Sequence, residues 1–178
     1  MVMTLLTTNP DSTDVASVTF NSSIDNTYKL YIFKFINISP ASDGGIFTFQ
    51  VNATDGSGYN DSNISTTFFN AQHGEDDSTG FAYHTSSDTA NAATFAPLTR
   101  NIGNGADESC SGTLWLFNPS QTTYVKHFYS RLNGYHQSDG SRDCFVGGYI
   151  NVTAAITDVQ FKMSSGNMDG TIKMYGVG

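Results

Sequence analysis

Positive charge is scarce in this sequence. Only 8 of the 178 residues are Lys or Arg, against 16 Asp or Glu, which gives a formal net charge of -8. A protein that coats nucleic-acid phosphates needs clustered Lys and Arg, so this composition argues against a nucleic-acid partner. Apolar runs are also short, and none approaches the roughly 18 residues of a membrane-spanning helix. We therefore expect neither nucleic acid nor a membrane as a partner.

The first residues are a poor match to a secretory signal. Residues 1–8 have no basic residue ahead of their short apolar stretch, whereas a signal peptide begins with positive charge. We expect these residues to form a first strand. If the protein reaches the outside of a cell, we expect it to leave by lysis or within an assembled particle.

Helix-forming residues are scarce as well. Of the acidic residues only Glu75 and Glu108 are Glu, and Asn, Ser and Thr together make up close to a third of the chain. Asp, Asn and Ser favour turns, whereas Glu, Lys, Leu and Ala favour helix surfaces. A chain of 178 residues fits one domain. The composition therefore predicts an all-β protein that forms a single domain over residues 1–178.

Alternation of apolar and polar residues recurs along the chain and predicts a series of short strands. Many short antiparallel strands in one domain favour a sandwich or a barrel. Residues 28–38 and 113–117 are apolar on both faces, and such strands belong in a sheet that is covered on both sides. We predict a jelly-roll-like antiparallel β-sandwich whose outer face is partly covered, by extra strands or by a neighbouring subunit. The candidate strands are 2–8, 15–20, 28–38, 45–51, 64–71, 80–85, 98–102, 113–117, 124–132, 144–152, 156–163 and 171–177.

The same alternation predicts which side chains share a face. In residues 28–38, Ile36 and Ile38 are expected on one face. In residues 45–51, Thr48 and Gln50 are expected to face solvent. Residues 88–95 form the one stretch with a helical tendency, which Asp88 would cap. The aromatic residues expected in the core are Phe33, Phe35, Phe47, Phe49, Phe68, Trp115 and Phe117.

Two polar clusters were considered for catalytic or metal chemistry. The first contains His73, Glu75, Asp76, Asp77 and His84. Its spacing matches no zinc or calcium loop, and it is more typical of a solvated loop tip, with a surface Ca²⁺ on the two aspartates as the alternative.

The second cluster is the pair Asp107 and Glu108, which a strand would point to opposite faces. A pair on opposite faces is poorly placed to flank one glycosidic bond. A thiol nucleophile would need Cys110 beside His127 or His136, and no local signature supports it. We therefore expect no enzyme activity, no cofactor and no catalytic or metal-binding residue.

The loop predicted at residues 132–140 combines an aromatic ring with amide and imidazole groups. Asn133, Tyr135 and His136 are its candidates for contact with a protein partner or a glycan, because amphipathic rings and amides suit such surfaces.

Two cysteines, Cys110 and Cys144, leave one possible disulfide. The alternative is a pair of free thiols, and the two possibilities stay open at this point.

The C-terminal residues 161–178 combine an apolar strand, a Ser/Gly/Asn turn, the pair Asp169-Gly170, and a final strand with Thr171, Ile172, Tyr175 and Gly176. This ending resembles the C-terminal strand of β-sandwich virion proteins of tailed bacteriophages. The low charge, the abundant Asn, Ser, Thr and Gly, and the loop 105–112 are similar to structural proteins of marine phages, particularly those that infect cyanobacteria. The resemblance implies a component of a virion.

From this resemblance we expect a non-enzymatic virion protein, most simply a capsid decoration or cement protein on the exterior of the particle. Its partners would be further copies of itself, with a trimer suited to a capsid three-fold axis, and the major capsid protein. The alternative is a tail or head fibre component that binds host surface glycans through the Tyr135 loop. A polysaccharide depolymerase is a third class, and the carboxylates give it little support.

Overall fold

The computed structural model describes residues 2–9 and 12–178. In these residues the chain forms thirteen strands and no helix, and every strand pair is antiparallel. The all-β sandwich predicted from the sequence is confirmed. The strands are β1 (Met3–Thr8), β2 (Ser12–Val15), β3 (Val18–Phe20), β4 (Leu30–Pro40), β5 (Phe47–Ala53), β6 (Ile64–Gly74), β7 (Thr79–Tyr83), β8 (Ala96–Pro97), β9 (Cys110–Phe117), β10 (Lys126–His136), β11 (Gly140–Ile150), β12 (Ile156–Met163) and β13 (Met168–Val177).

The strands form two sheets of unequal size. The large sheet has the order β1-β13-β4-β9-β10-β11-β6-β7, with β2 also paired to β13, and the small sheet has the order β3-β12-β5-β8. The chain passes from one sheet to the other eight times: between β2 and β3, β3 and β4, β4 and β5, β5 and β6, β7 and β8, β8 and β9, β11 and β12, and β12 and β13. This repeated crossing ties the two sheets into one sandwich. We call the face of the large sheet that packs on the small sheet its inner face, and the opposite face its outer face.

Phenylalanine rings fill the space between the sheets. Phe161 of β12 lies at the centre of this cluster and is fully buried. Five other rings have centroids 5.1 to 6.4 Å from its own: those of Phe20, Phe33, Phe35, Phe47 and Phe49. Such edge-to-face and offset contacts add about 0.5–1.5 kcal/mol per pair to the energy of burial. Five of the seven predicted core aromatics, including Phe68, are indeed buried.

The other two predicted core aromatics, Trp115 and Phe117, are misassigned. Both lie on the outer face of β9, because Leu114 and Leu116 occupy the alternate positions that point into the core. Both faces of this strand are apolar, so alternation alone could not decide which set of side chains is buried.

A β-bulge in β4 makes a second prediction wrong, the placement of Ile36 and Ile38 on one face. The pairing of β4 with β9 shifts register between Phe35 and Ile38, and Asn37 adopts a positive φ of 51°. The extra residue leaves Ile36 exposed on the outer face, whereas Ile38 is buried in the core. The two isoleucines therefore do not share a face as the alternation predicted.

The solvent-facing side predicted for residues 45–51 is covered. Thr48 and Gln50 are buried, because neighbouring loops pack over this face of β5. The Gln50 amide donates to the carbonyls of Ser62 (3.1 Å) and Thr94 (3.0 Å), and its oxygen accepts from the backbone N–H of Val51 (2.8 Å). Satisfying all of these groups makes a buried glutamine tolerable.

The segment that precedes β9 also differs from its prediction. Residues 88–95 form turns and bends instead of a helix, because Ala92 exchanges backbone hydrogen bonds with Ile64. The strand predicted at 98–102 is wrong as well: β8 covers only Ala96–Pro97, and Ile102 forms isolated bridges to Gly45 and His136.

The possible disulfide is not formed in this structure. Cys110 and Cys144 are buried free thiols. Cys110 lies opposite Gly134 of β10, and Cys144 lies opposite Leu132 of the same strand, so β10 separates them. Two strand spacings of about 4.8 Å place their Cα atoms roughly 10 Å or more apart, beyond the ~7 Å limit for a bridge. Burial raises the pKa of Cys144 to about 12 and also raises that of Cys110, which makes both thiols unreactive.

A buried lysine fastens the connection between β11 and β12. Lys126 is fully buried, and its Nζ donates to the carbonyls of Thr153 and Ala154 (both 2.7 Å), and of Tyr124 and Val152 (both 3.2 Å). These carbonyls take the place of the solvent that the ammonium group loses on folding. The contact holds the turn by which the chain leaves the large sheet.

We predict that Lys126→Met destabilises the fold by about 3 kcal/mol, because it leaves buried carbonyls without a donor while keeping most of the side-chain volume. Urea unfolding followed by circular dichroism measures the change. Lys173→Met, at a partly exposed position of β13, is the matched control and should change the midpoint little. Equal midpoints for the two variants would contradict the role given to Lys126.

Candidate functional site

Polar side chains from four adjacent strands meet at one end of the outer face. They border an open cavity of about 600 Å³, which we call the cleft. Tyr135 of β10 lies opposite Ser141 of β11, which in turn lies opposite His73 of β6, and Asn133 lies opposite Ser111 of β9. Because alternate residues of a strand point to the same side, these side chains form one surface.

Hydrogen bonds fix the groups of the cleft. The Tyr135 hydroxyl donates to Glu75 Oε1 (2.8 Å), and Asn133 Nδ2 donates to Ser141 Oγ (2.8 Å). The hydrogen bond to Glu75 raises the pKa of Tyr135 to about 12. Tyr135 therefore stays protonated at neutral pH, with its ring held in one orientation at the wall of the cleft.

The cleft carries negative charge. Glu75, Asp77 and Asp107 lie along it, and no Lys or Arg of the described ranges borders it. The nearest cation on β10, Arg131, is already paired with Asp143 at 2.6 Å. Such a surface favours neutral hydroxyl-rich or cationic ligands over anionic ones.

The structure brings together two of the three predicted contact residues. Asn133 and Tyr135 lie in the cleft, whereas His136 points to the inner face, because neighbouring residues of a strand alternate. The segment predicted as a loop at 132–140 consists of the ends of β10 and β11, joined by a turn at 137–139. His136 accepts a hydrogen bond from the backbone N–H of Ser138 (3.1 Å).

The first polar cluster is divided between two places. His73 and Asp77 interact at 3.3 Å beside the cleft, while His84 lies against Phe68 on the inner side. Asp76 accepts from the backbone N–H of Ser78 (3.0 Å) in a tight turn, and this hydrogen bonding lowers its pKa.

The carboxylates of the second cluster have different surroundings, although both residues line a further cavity beside the cleft. Asp107 borders the cleft, whereas Glu108 accepts a hydrogen bond from the backbone N–H of Gly105. Across the two described ranges, no group of three or more His, Cys, Asp or Glu is arranged to hold a metal ion. No local sequence pattern could predict that residues 73–77, 107–111 and 133–135 lie side by side. They meet only because β6, β11, β10 and β9 are neighbours in the large sheet.

A second surface covers the middle of the outer face, and we call it the aromatic face. Trp115 stacks on Tyr129 with ring centroids 4.6 Å apart, and Phe69 stacks on Phe145 at 5.1 Å. The Arg131 guanidinium lies 4.9 Å from the Phe145 centroid. The aromatic face comprises Trp115, Phe117, Tyr129, Phe145, Tyr149, Phe69 and Phe81.

This face is open to solvent. Tyr129 is 46% exposed and Phe81 is 74% exposed. Aliphatic residues of the neighbouring strands, Met3, Leu5 and Ile36, extend it across β1 and β4 and are exposed too. All strands of the described chain belong to the two sheets, so no extra strand covers this face. Of the two coverings that the sequence predicted, extra strands are therefore not found in the described residues.

Comparisons with known proteins give no relative from which a role for either surface could be inferred. No family model matches the chain, and neither a curated protein nor a solved structure matches it. In the residues that the structure describes, no helix has the length and hydropathy needed to cross a bilayer. The two surfaces are therefore interpreted from their own geometry.

Proposed function

We propose that this chain is a non-enzymatic virion structural protein that works as an oligomer, most simply as a capsid decoration protein on the exterior of the particle. The observation that carries the proposal is the aromatic face. A large exposed apolar surface marks an interaction site in a protein of this size. The C-terminal residues 161–178 resemble those of phage β-sandwich proteins, and this resemblance supports a virion as the assembly.

The outer face is large enough for a stable interface. Six central strands with a spacing of about 4.8 Å, over about eight residues of roughly 3.4 Å each, span on the order of 700 Å². A standard protein–protein interface buries about 800 Å² on each partner. One further subunit therefore suffices to cover the aromatic face.

The occupant we propose is a second copy of this chain. Arg131, whose guanidinium lies over Phe145, already pairs with Asp143, and covering a paired charge costs less than covering a free one. Lys34 Nζ donates to the neutral hydroxyl of Thr113 at 3.1 Å. The stacked rings of Trp115 and Tyr129 are the residue types that supply most binding energy in such interfaces.

We predict that Tyr129→Glu and Ile36→Glu each convert the oligomer to a chain of 19.2 kDa, because a carboxylate at the centre of the interface would lose its hydration. Light scattering coupled to gel filtration measures the mass. Thr19→Glu, exposed on β3 of the small sheet, is the control and should keep the oligomer. A wild-type protein that stays monomeric at high concentration would contradict self-association.

The number of copies per particle tests whether the protein belongs to the capsid surface or to a fibre. Capsid decoration requires copies on the order of hundreds, because one subunit type repeats over a symmetric shell. Quantitative mass spectrometry of purified particles measures this number. Tens of copies or fewer would overturn the decoration role and favour a fibre or tail part.

The cleft supports a second candidate function, a fibre component that binds host surface glycans. A protonated Tyr135 beside the Glu75 carboxylate offers a ring face and hydrogen-bonding groups for sugar hydroxyls, and Asn133 adds an amide. The negative charge of the cleft favours neutral or amino sugars over acidic ones.

For this second function we predict that Tyr135→Phe weakens binding to neutral oligosaccharides about tenfold, since one hydrogen bond of about 1.4 kcal/mol is lost. Saturation-transfer NMR with a panel of neutral and acidic oligosaccharides measures the binding. Tyr124→Phe, at an exposed position outside the cleft, is the matched control. Absence of saturation transfer from the wild-type protein to any sugar of the panel would refute glycan binding.

A further inference from the structure

The inner face of the large sheet changes from apolar to basic at the end that carries the cleft on its other side. Next to the apolar core, Cys144 of β11 lies between Asn70 of β6 and Leu132 of β10. One step further along the same face, Arg142 lies opposite Gln72 and donates to its Oε1 at 2.7 Å. The end of this inner face is therefore polar and lies beyond the phenylalanine cluster.

A second arginine approaches the same place from the segment before β9. The backbone of Arg100 lies close enough to Cys144 to act on the pKa of its thiol, and Cys144 is two residues from Arg142. Its guanidinium Nη1 donates to Ser87 Oγ (2.8 Å) and Ser86 Oγ (3.1 Å). Two of the eight Lys and Arg residues of the chain are thus brought together.

Two histidines complete the group, which we call the basic pocket: Arg100, Arg142, His84 and His136. The His84 backbone N–H donates to the Phe68 carbonyl at 2.9 Å, and His136 reaches the pocket from the end of β10. Burial lowers the pKa of both histidines, and the nearby positive charges of the arginines lower it further. Both guanidinium groups are therefore close enough to act on both imidazoles.

Four nitrogen atoms of the basic pocket lack a hydrogen-bond partner. Arg100 Nε, Arg142 Nε, His84 Nε2 and His136 Nε2 are all buried and have no hydrogen-bond partner. Among the described residues, the ion pairs join only His73 to Asp77 and Arg131 to Asp143, so neither arginine of the pocket has a carboxylate partner. Both arginines are partly buried, and partial withdrawal of a cation from water without a counter-charge costs free energy.

Three carboxylates lie close to the pocket. Asp43 is close enough to act on the pKa of His136, and Asp76 and Asp139 line the adjoining cavity. The cavity has a volume of about 220 Å³, and two members of the basic pocket, His136 and Arg142, also line it, together with Gln72 and Ser138. A water molecule occupies about 30 Å³, so this space admits a tetrahedral anion together with several waters.

We propose that the basic pocket binds a small oxyanion of the class of inorganic phosphate. Guanidinium and imidazole N–H groups form strong, charge-assisted hydrogen bonds with such anions. The anion supplies the missing counter-charge and uses the unpaired donors. Because Arg142 belongs to β11 and Arg100 to the segment before β9, the bound anion fastens that segment to the large sheet.

Thermal unfolding in phosphate, compared with chloride at equal ionic strength, tests the proposal. We expect a saturable rise of the wild-type Tm by a few degrees, since a ligand of the folded state alone stabilises it by mass action. Arg142→Gln and Arg100→Gln should each weaken phosphate binding at least tenfold. Lys29→Gln, which removes one positive charge at an exposed position outside the cleft, the aromatic face and the basic pocket, is the control and should bind phosphate as the wild type does.

Titration calorimetry of the wild-type protein with phosphate provides a measurement that does not depend on a folded variant. One site per chain supports the proposal, and no binding at millimolar phosphate overturns it. An equal loss in Lys29→Gln and Arg142→Gln would also overturn it, because binding would then follow net charge. The overall charge of -8 opposes general attraction of anions, so specific binding requires a local site.

Discussion

The structure depends on one mismatch of areas: a nine-stranded sheet with two apolar faces packs against a sheet of only four strands. The small sheet covers the inner face, where Phe161 contacts phenylalanine rings from both sheets. The aromatic face opposite stays in solvent, which is costly for stacked rings such as Trp115 and Tyr129. A neighbouring subunit on this face would remove that cost, and this is the ground on which we propose assembly as the function.

The same mismatch explains where polar chemistry is concentrated. Strands β10, β11 and β6 extend beyond the phenylalanine cluster, so their last residues are free to carry polar groups on both faces. Alternation then separates them: Tyr135 faces the acidic cleft, whereas the adjacent His136 faces the basic pocket. Likewise Ser141 and Arg142 point to opposite sides. One strand end thus presents two surfaces of opposite charge, suited to different ligands.

Much of the fold follows from local pattern, because side-chain alternation is a property of each strand by itself. It identified the inner phenylalanines of β4 and β5 and predicted a sandwich. The alternation pattern failed where contacts between residues distant in the sequence decide where a side chain lies. Asn37 adds a bulge, loops cover Gln50, and the order of the strands joins Glu75 to Tyr135. Those arrangements depend on which strands pair, and alternation within one strand carries no information about pairing.

The single tryptophan of the chain offers the most direct test of the central claim, since Trp115 lies within the aromatic face. Acrylamide quenching of its fluorescence measures how far solvent reaches that face. If copies of the chain cover it, the wild-type protein will be quenched much less than the Ile36→Glu variant at the same concentration. Equal quenching of the two proteins would show that the aromatic face is open in both and would contradict the account.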